Sequence, residues 1–164
     1  ELLINYDFIN YLIFFIIIII LLNLCNYLML GDAGAYSLSF FVGYLIIKCH
    51  ISNPNISPYF FITLLWYPCY ENLFSIIRKF KTKLSPLIPD NNHLHQLIYI
   101  RFKKKIIKNQ LIANNVTSLL ISFVNFIIIL ISSMNPYSSV YQIKLIIFSI
   151  ILYSFTFIII KKRL

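Results

Sequence analysis

Acidic side chains are nearly missing from this chain: Glu1, Asp7, Asp32, Glu71 and Asp90 are the only five among 164 residues. Charge of either sign is thin, at 12% of residues, against 60% hydrophobic residues and a mean hydropathy of +0.83. Ordinary soluble domains carry about a quarter charged residues, so this composition is not that of a soluble domain. Alternation is missing too. A membrane barrel needs alternating segments of about ten residues, and runs such as FFIIIIILL (14–22) do not alternate. The three cysteines, Cys25, Cys49 and Cys69, show no metal or redox spacing. They sit in or beside apolar segments and read as buried hydrophobes. The start of the chain has no basic, apolar and small-residue signal pattern. It begins with Glu1 rather than Met, so it is expected to be a piece of a longer protein. The net charge is +9, yet no groove-reading or base-stacking module accompanies it, which sets nucleic acid aside as a partner.

What the chain does have is apolar runs of membrane-spanning length, about 20 residues each. Helices satisfy their own backbone in lipid. The expected fold is therefore an all-α membrane protein, a bundle of about five transmembrane helices within one polytopic domain, 1–164. The helices are expected near 8–30, 34–49, 57–77, 114–134 and 142–160, with one long polar loop at 78–113. Pro54 and Pro58 punctuate ISNPNISP and start the third helix, since proline suits a first helical turn. SSMNPYSS turns the chain between the last two. AT-rich codons favour Ile, Asn, Lys, Phe and Tyr, so no weight rests on any single one of them.

The basic residues are unevenly placed. Nine of the 14 fall in 78–113 and three more in the tail, leaving Lys48 and Lys144 elsewhere. By the positive-inside rule the loop and the C-terminus are cytoplasmic. Parity over five spans then turns 50–56 and 135–141 outward and GDAGAY (31–36) inward. Asp32 and the histidines of PDNNHLHQL (89–97) are thus expected at the same membrane face. The basic loop also suits anionic headgroups, which makes membrane lipids a partner.

Few residues can carry chemistry. Asp32 is either a helix N-cap, accepting from free N–H groups of the next helix, or a carboxylate for metal or phosphate chemistry, with Gly31 and Gly34 letting a ligand approach the backbone. Asp90, His93 and His95 are too few for a closed zinc site, which takes four ligands. They are either a polar loop meeting lipid phosphates or an anion-binding set, imidazole being the side chain that titrates near neutrality. Glu71 stands near the end of a span, where an acid is functional unless paired; a basic partner from the loop is the other reading. His50 lies in an outer turn and is taken as inert.

Three motifs in order then carry a resemblance. LGDAGAYSLSF (30–40) resembles the Gly-Asp-Ala/Ser-Gly segment of the polyprenyl-phosphate N-acetylhexosamine-1-phosphate transferases, glycosyltransferase family 4. These enzymes start O-antigen, teichoic acid and, more distantly, peptidoglycan lipid synthesis. SPLIPDNNHLHQLIYIRF (85–102) is similar to that family's Ser-Pro-x-x-Pro-Asp-x-x-His-Leu-His block. NPNISPYFFITLLWYPCYENLFSIIRKF (53–80) resembles a branch in which Tyr-Pro and Glu-x-Leu-Phe-Ser-Ile precede a basic loop, and NNVTS (114–118) fits the start of its next span. The likeness covers roughly residues 20 to 120.

The resemblance implies transfer of a sugar-1-phosphate from a UDP-N-acetylhexosamine to undecaprenyl phosphate, with Mg²⁺, at the cytoplasmic face of a bacterial inner membrane. Asp32 is then the catalytic carboxylate and metal ligand, and Asp90, His93, His95 and Arg101 bind the substrate. Phosphoryl transfer asks mainly for positioning and charge neutralisation. The donor sugar (GlcNAc, GalNAc, QuiNAc or FucNAc) is left open, and a homodimer is an open partner. The family's paired aspartates and its Asn-x-x-Asp-Gly segment precede the position of Glu1 in the family's order. The likeness is therefore to a C-terminal half, and the isolated chain is expected to be incomplete as an enzyme. Ser39 stands where glycine is usual, and Gln96 where some members have a third histidine. The alternative expectation is a truncated, catalytically inactive helix bundle. A channel or transporter would need facing ionisable groups in mid-span, for which Glu71 is the single candidate.

Overall fold

The computed structural model describes residues 6–28, 30–82, 85 and 92–162. Asp90 lies outside the described residues. Among these, seven helices and no strand occur: α1 (Tyr6–Leu24), α2 (Gly31–Ser52), α3 (Pro58–Leu64), α4 (Trp66–Lys81), α5 (Leu94–Lys105), α6 (Gln110–Ser133) and α7 (Ser139–Lys162). Helices α2, α6 and α7 are long and apolar enough to cross a membrane, and the bent pair α3–α4 makes a fourth if it counts as one span. An all-helical chain with helices of membrane-crossing length is what the apolar runs dictated.

The expected elements differ in three places. The first helix stops at Leu24 rather than near 30. Asn26 takes a left-handed conformation, φ 62°, and its N–H and that of Tyr27 turn back to the carbonyls of Asn23 and Leu22 at 2.9 Å each. That pattern closes a helix, with asparagine tolerating the left-handed position. The third span is broken at Leu65, where α3 and α4 meet at 73°. Pro68 favours the break: it has no N–H for the Leu64 carbonyl four residues back, and its ring crowds that carbonyl. The long loop, finally, is interrupted by α5.

The chain divides into two compact units, Glu1–Lys48 and Cys49–Leu164. In the first, α2 opens at Gly31, whose φ of +63° is one that side chains resist. GDAGAY is thus the first turn of a helix rather than a turn between helices.

In the second unit α3–α4 runs parallel to α7. Ser57 Oγ meets Ser139 Oγ at 2.9 Å at the start of both, and Ser57 N–H donates to the Pro136 carbonyl at 3.0 Å. Further along, Tyr70 Oη meets Ser154 Oγ at 2.9 Å. The contact between α4 and α7 is aromatic. Tyr70 and Phe74 stand edge-on to Tyr153, with ring centres 5.1 and 5.4 Å away, and Phe74 to Phe157 at 4.8 Å. Such edge-to-face pairs contribute about 0.5–1.5 kcal/mol each beyond their buried area. Helix α6 returns antiparallel to α7 across the turn 134–138. The core gathers Trp66, Leu94, Leu97, Ile98, Ile128, Leu145, Tyr153 and Phe157.

Many large apolar side chains remain outside, among them Phe123, Phe126, Phe148 and Phe155, each more than half exposed. A bilayer is the solvent that suits such a surface. The three cysteines, expected to be buried, are exposed as well. A thiol behaves as a small hydrophobe, and an apolar exterior accommodates it as readily as a core.

Candidate functional site

The side chain on which the second unit's polar chemistry converges is Glu71. It sits two turns into α4, only 7% exposed, in the first turns after the proline break. Its Oε1 accepts the N–H of Leu94 at 2.9 Å, the first residue of α5. His95 Nδ1 lies 3.2 Å from the same oxygen, Tyr153 Oη 3.4 Å and His93 Nδ1 3.7 Å. One oxygen has too few lone pairs to bond all four. The Leu94 and His95 contacts are the short hydrogen bonds and the Tyr153 hydroxyl donates a longer one; at 3.7 Å the His93 contact is electrostatic. The bond to Leu94 N–H also sets a carboxylate at the positive end of α5, where the helix dipole and unpaired donors favour it.

The two imidazoles are stacked, with ring centres 5.6 Å apart and planes 17° from parallel. His95 is half-exposed and His93 a quarter exposed. An ionised carboxylate has no proton to give, so the hydrogen between His95 and Glu71 belongs to Nδ1 of the imidazole. Nε2 is then the nitrogen left for a ligand. This is the arrangement by which a buried acid fixes a histidine's tautomer and orientation. His93 is held by its backbone as well: its N–H donates to Gln96 Oε1 at 3.2 Å. Gln96 thus works as the reciprocal half of a helix cap, a use that a histidine there would not reproduce in the same way.

Arg78, one helical turn beyond Ser75 on α4, ties down the approach to the pair. Its Nη1 donates to the Asn92 carbonyl at 2.6 Å, and its guanidinium lies 5.6 Å from the Phe157 ring centre. The polypeptide entering His93 is therefore fixed from α4, as is the helix leaving it.

The other sequence-predicted residues have their own surroundings. Asp32 is the second residue of α2, exposed, in the first turn. It is inside the helix rather than at the N-cap position, and a carboxylate there still benefits from the helix dipole. Arg101 follows Leu94, Leu97 and Ile98 along the buried stripe of α5, half-buried itself. Six residues beyond His95, it lies about 9 Å further along the axis. The structure thus joins His93 to His95 through an acid, while Arg101 lies half-buried further along α5. Asp90 is outside the described residues.

No family model, curated protein or solved structure matches this chain.

Among the described residues no three His, Cys, Asp or Glu side chains are grouped so as to hold a metal ion. Both histidines turn Nδ1 toward the acid. Asp32 alone offers one oxygen donor group, and Mg²⁺ asks for six ligands, commonly one or two carboxylates completed by substrate phosphates and water. The described donors therefore do not by themselves fit a magnesium site.

Glu71 was the functional residue least expected as the centre. The sequence did carry a signal: an acid in an apolar helix, with a basic partner anticipated from the loop. The partner proved to be the histidine pair rather than a lysine or arginine.

Proposed function

We propose that this chain is part of a membrane phosphotransferase that moves an N-acetylhexosamine-1-phosphate from a UDP-sugar to undecaprenyl phosphate. The observation that carries the reading is the pair of stacked imidazoles held by Glu71. Two adjacent rings, turned the same way and locked at one edge, present their other edges together. With each ring carrying a second proton, each outward Nε2 is an N–H donor, and two of them together suit a diphosphate, whose charge is spread over several oxygens. Phosphoryl transfer depends on such preorganised donors more than on covalent help from the protein. The basic ends of α4, α5 and α7 add positive charge. Helices of membrane-crossing length suit an acceptor whose tail lies in lipid. The order of the three motifs supplies the reaction class. On this reading His93 and His95, with Asp90 and Arg101, hold the nucleotide-sugar, Asp32 supplies one ligand to Mg²⁺, and the charged end faces the cytoplasm.

The test uses membranes carrying the product of the whole reading frame, undecaprenyl phosphate and a panel of radiolabelled UDP-N-acetylhexosamines. The expected result is Mg²⁺-dependent label in the lipid fraction with release of UMP. His95→Ala should lower kcat/KM about 100-fold, the scale of losing one preorganised donor, with normal membrane insertion. Asp32→Asn should abolish transfer while inserting normally. Wild-type turnover in both variants, or no transfer from any donor, overturns the reading.

A further inference from the structure

The ends of α4 and α7 border an open groove of about 470 Å³ that lies apart from the histidine pair and shares Phe157 with the core. The size is that of a small-molecule site. Its walls are Phe74 and Ile77 from α4 and Phe157 and Ile158 from α7. Its mouth is ringed by Arg78, Lys81, Lys161 and Lys162, and among the described residues no acid lines it. Two of these cations crowd one ring: the Arg78 guanidinium and Lys161 Nζ stand 5.6 and 5.7 Å from the centre of Phe157. Attraction to a ring face explains each alone. The ammoniums of Lys81, Lys161 and Lys162 meet no carboxylate among the described residues that line the groove.

An occupant must therefore be anionic at one end and apolar at the other. Both helices run in the same direction and end here, after long apolar stretches, which sets the basic mouth at the level of a bilayer's headgroups and the apolar walls beneath it. Lysines at that level attract anionic lipid, and their stems lie along apolar surface while the ammonium reaches the phosphate. We infer that the groove holds one anionic phospholipid, its phosphate among Lys81, Lys161 and Lys162 and one acyl chain against Phe74, Ile77, Phe157 and Ile158. Because Arg78 also donates to the Asn92 carbonyl, the lipid borders the chain next to His93.

Native mass spectrometry of the full chain, released from micelles doped with known lipids, tests this without any transfer assay. The wild type should retain one dioleoyl-phosphatidylglycerol at least roughly tenfold more tightly than dioleoyl-phosphatidylcholine, given three lysines at the surface. The triple variant Lys81→Gln, Lys161→Gln, Lys162→Gln should lose that preference. Ile77→Trp with Ile158→Trp, which fills the groove and keeps the charge, should lose retention too. Both sets of positions are exposed, and retained helical circular dichroism confirms folding. Equal retention of the two lipids overturns the proposal. So does loss in the lysine variant with full retention in the filled one, which would mean surface charge and no groove. Competition by glycerol phosphate at similar concentration would make the site one for free phosphate. Displacement by equimolar undecaprenyl phosphate would assign it to that lipid instead. Either result overturns the phospholipid assignment.

Discussion

Two polar clusters interrupt the apolar interior of the second unit, and they are built on opposite terms. At the start of α7, Gln142 is wholly buried and completely satisfied. Its amide donates to the carbonyls of Ser132 and Asn135 at 2.9 and 3.0 Å, and its oxygen accepts from Thr63 Oγ1 and Ser132 Oγ at 3.1 and 2.7 Å. Eleven residues along the same helix, about 16 Å, Tyr153 reaches Glu71. There one carboxylate oxygen faces four donors, and the two imidazoles among them are partly exposed. The first cluster is neutral, closed and joins α3, α6 and α7. The second is charged and oversubscribed, and leaves two ring nitrogens for something else. A closed network serves the fold; an open one is where a ligand can enter.

The largest effect should come from the closed cluster. Gln142→Leu keeps the volume and removes four contacts, stranding the Ser132 hydroxyl and the Asn135 carbonyl, while Thr63 Oγ1 keeps the Tyr59 carbonyl and the Ser132 carbonyl keeps the Asn135 N–H. At about 0.6 kcal/mol for a hydrogen bond between membrane helices, the loss is about 2 kcal/mol, read from denaturant titration in micelles. The ¹⁵N shifts of His93 and His95 should not move. A change below about 0.5 kcal/mol would mean that water or neighbouring groups replace the amide, and the contrast between the clusters would fail.

Glu71→Gln is a smaller change with a sharper readout. The amide oxygen can still accept from Leu94 N–H, so α5 should stay capped and stability should fall by only about 1 kcal/mol, the worth of a weakened charge-assisted bond. The same amide oxygen also faces His95 Nδ1, because both contacts are to Oε1, so the ring should keep its hydrogen on Nδ1 while losing the negative charge beside it. The ¹⁵N spectrum should therefore show an unchanged His95 tautomer, with transfer reduced. A hydrogen moved to Nε2 would show that the amide has turned its nitrogen to the ring and that Oε1 does not set it.

The two clusters differ also in how far the sequence discloses them. The apolar runs reveal helices because lipid admits little else, and the basic ends reveal a charged face. His93 and His95 are visible as rare polar residues in an apolar chain. Gln142 and Thr63 are not, since a buried amide is recognised only by partners 10 and 79 residues away. Helix α5 was hidden by its own charge: Lys103, Lys104 and Lys105 make the segment read as loop, although Leu94, Leu97, Ile98 and Arg101 recur at helical spacing on one face. Pro68 stood in plain view within WYPCY, but a proline in an apolar run signals either a tolerated first turn or a break, and tertiary contacts decide which. Glu71 was legible as an anomaly, while its partners were settled only by the position of α5.

The bend at Leu65 joins these observations, because it lies between the two clusters. Thr63 fastens α3 to Gln142, and Glu71 with Tyr70 fastens α4 to Tyr153 and Ser154. Each limb of the broken helix is thus clamped to the same straight partner, α7, by its own polar contact. If proline alone made the break, Pro68→Ala would return a donor to the Leu64 carbonyl and the helix would straighten. For spin labels at Tyr59 and Lys79 that means lengthening by about 5 Å, from the 73° bend and a rise of 1.5 Å per residue. If the clamps hold, straightening would cost the bonds on one limb. The label distance should then grow by less than about 2 Å, with stability changed by no more than about 1 kcal/mol. Combining Pro68→Ala with Gln142→Leu releases α3 while α4 stays seated on Tyr153, so the longer distance should appear only in the double variant. Full straightening in the single variant would assign the geometry to the proline and take from the closed cluster its part in presenting Glu71.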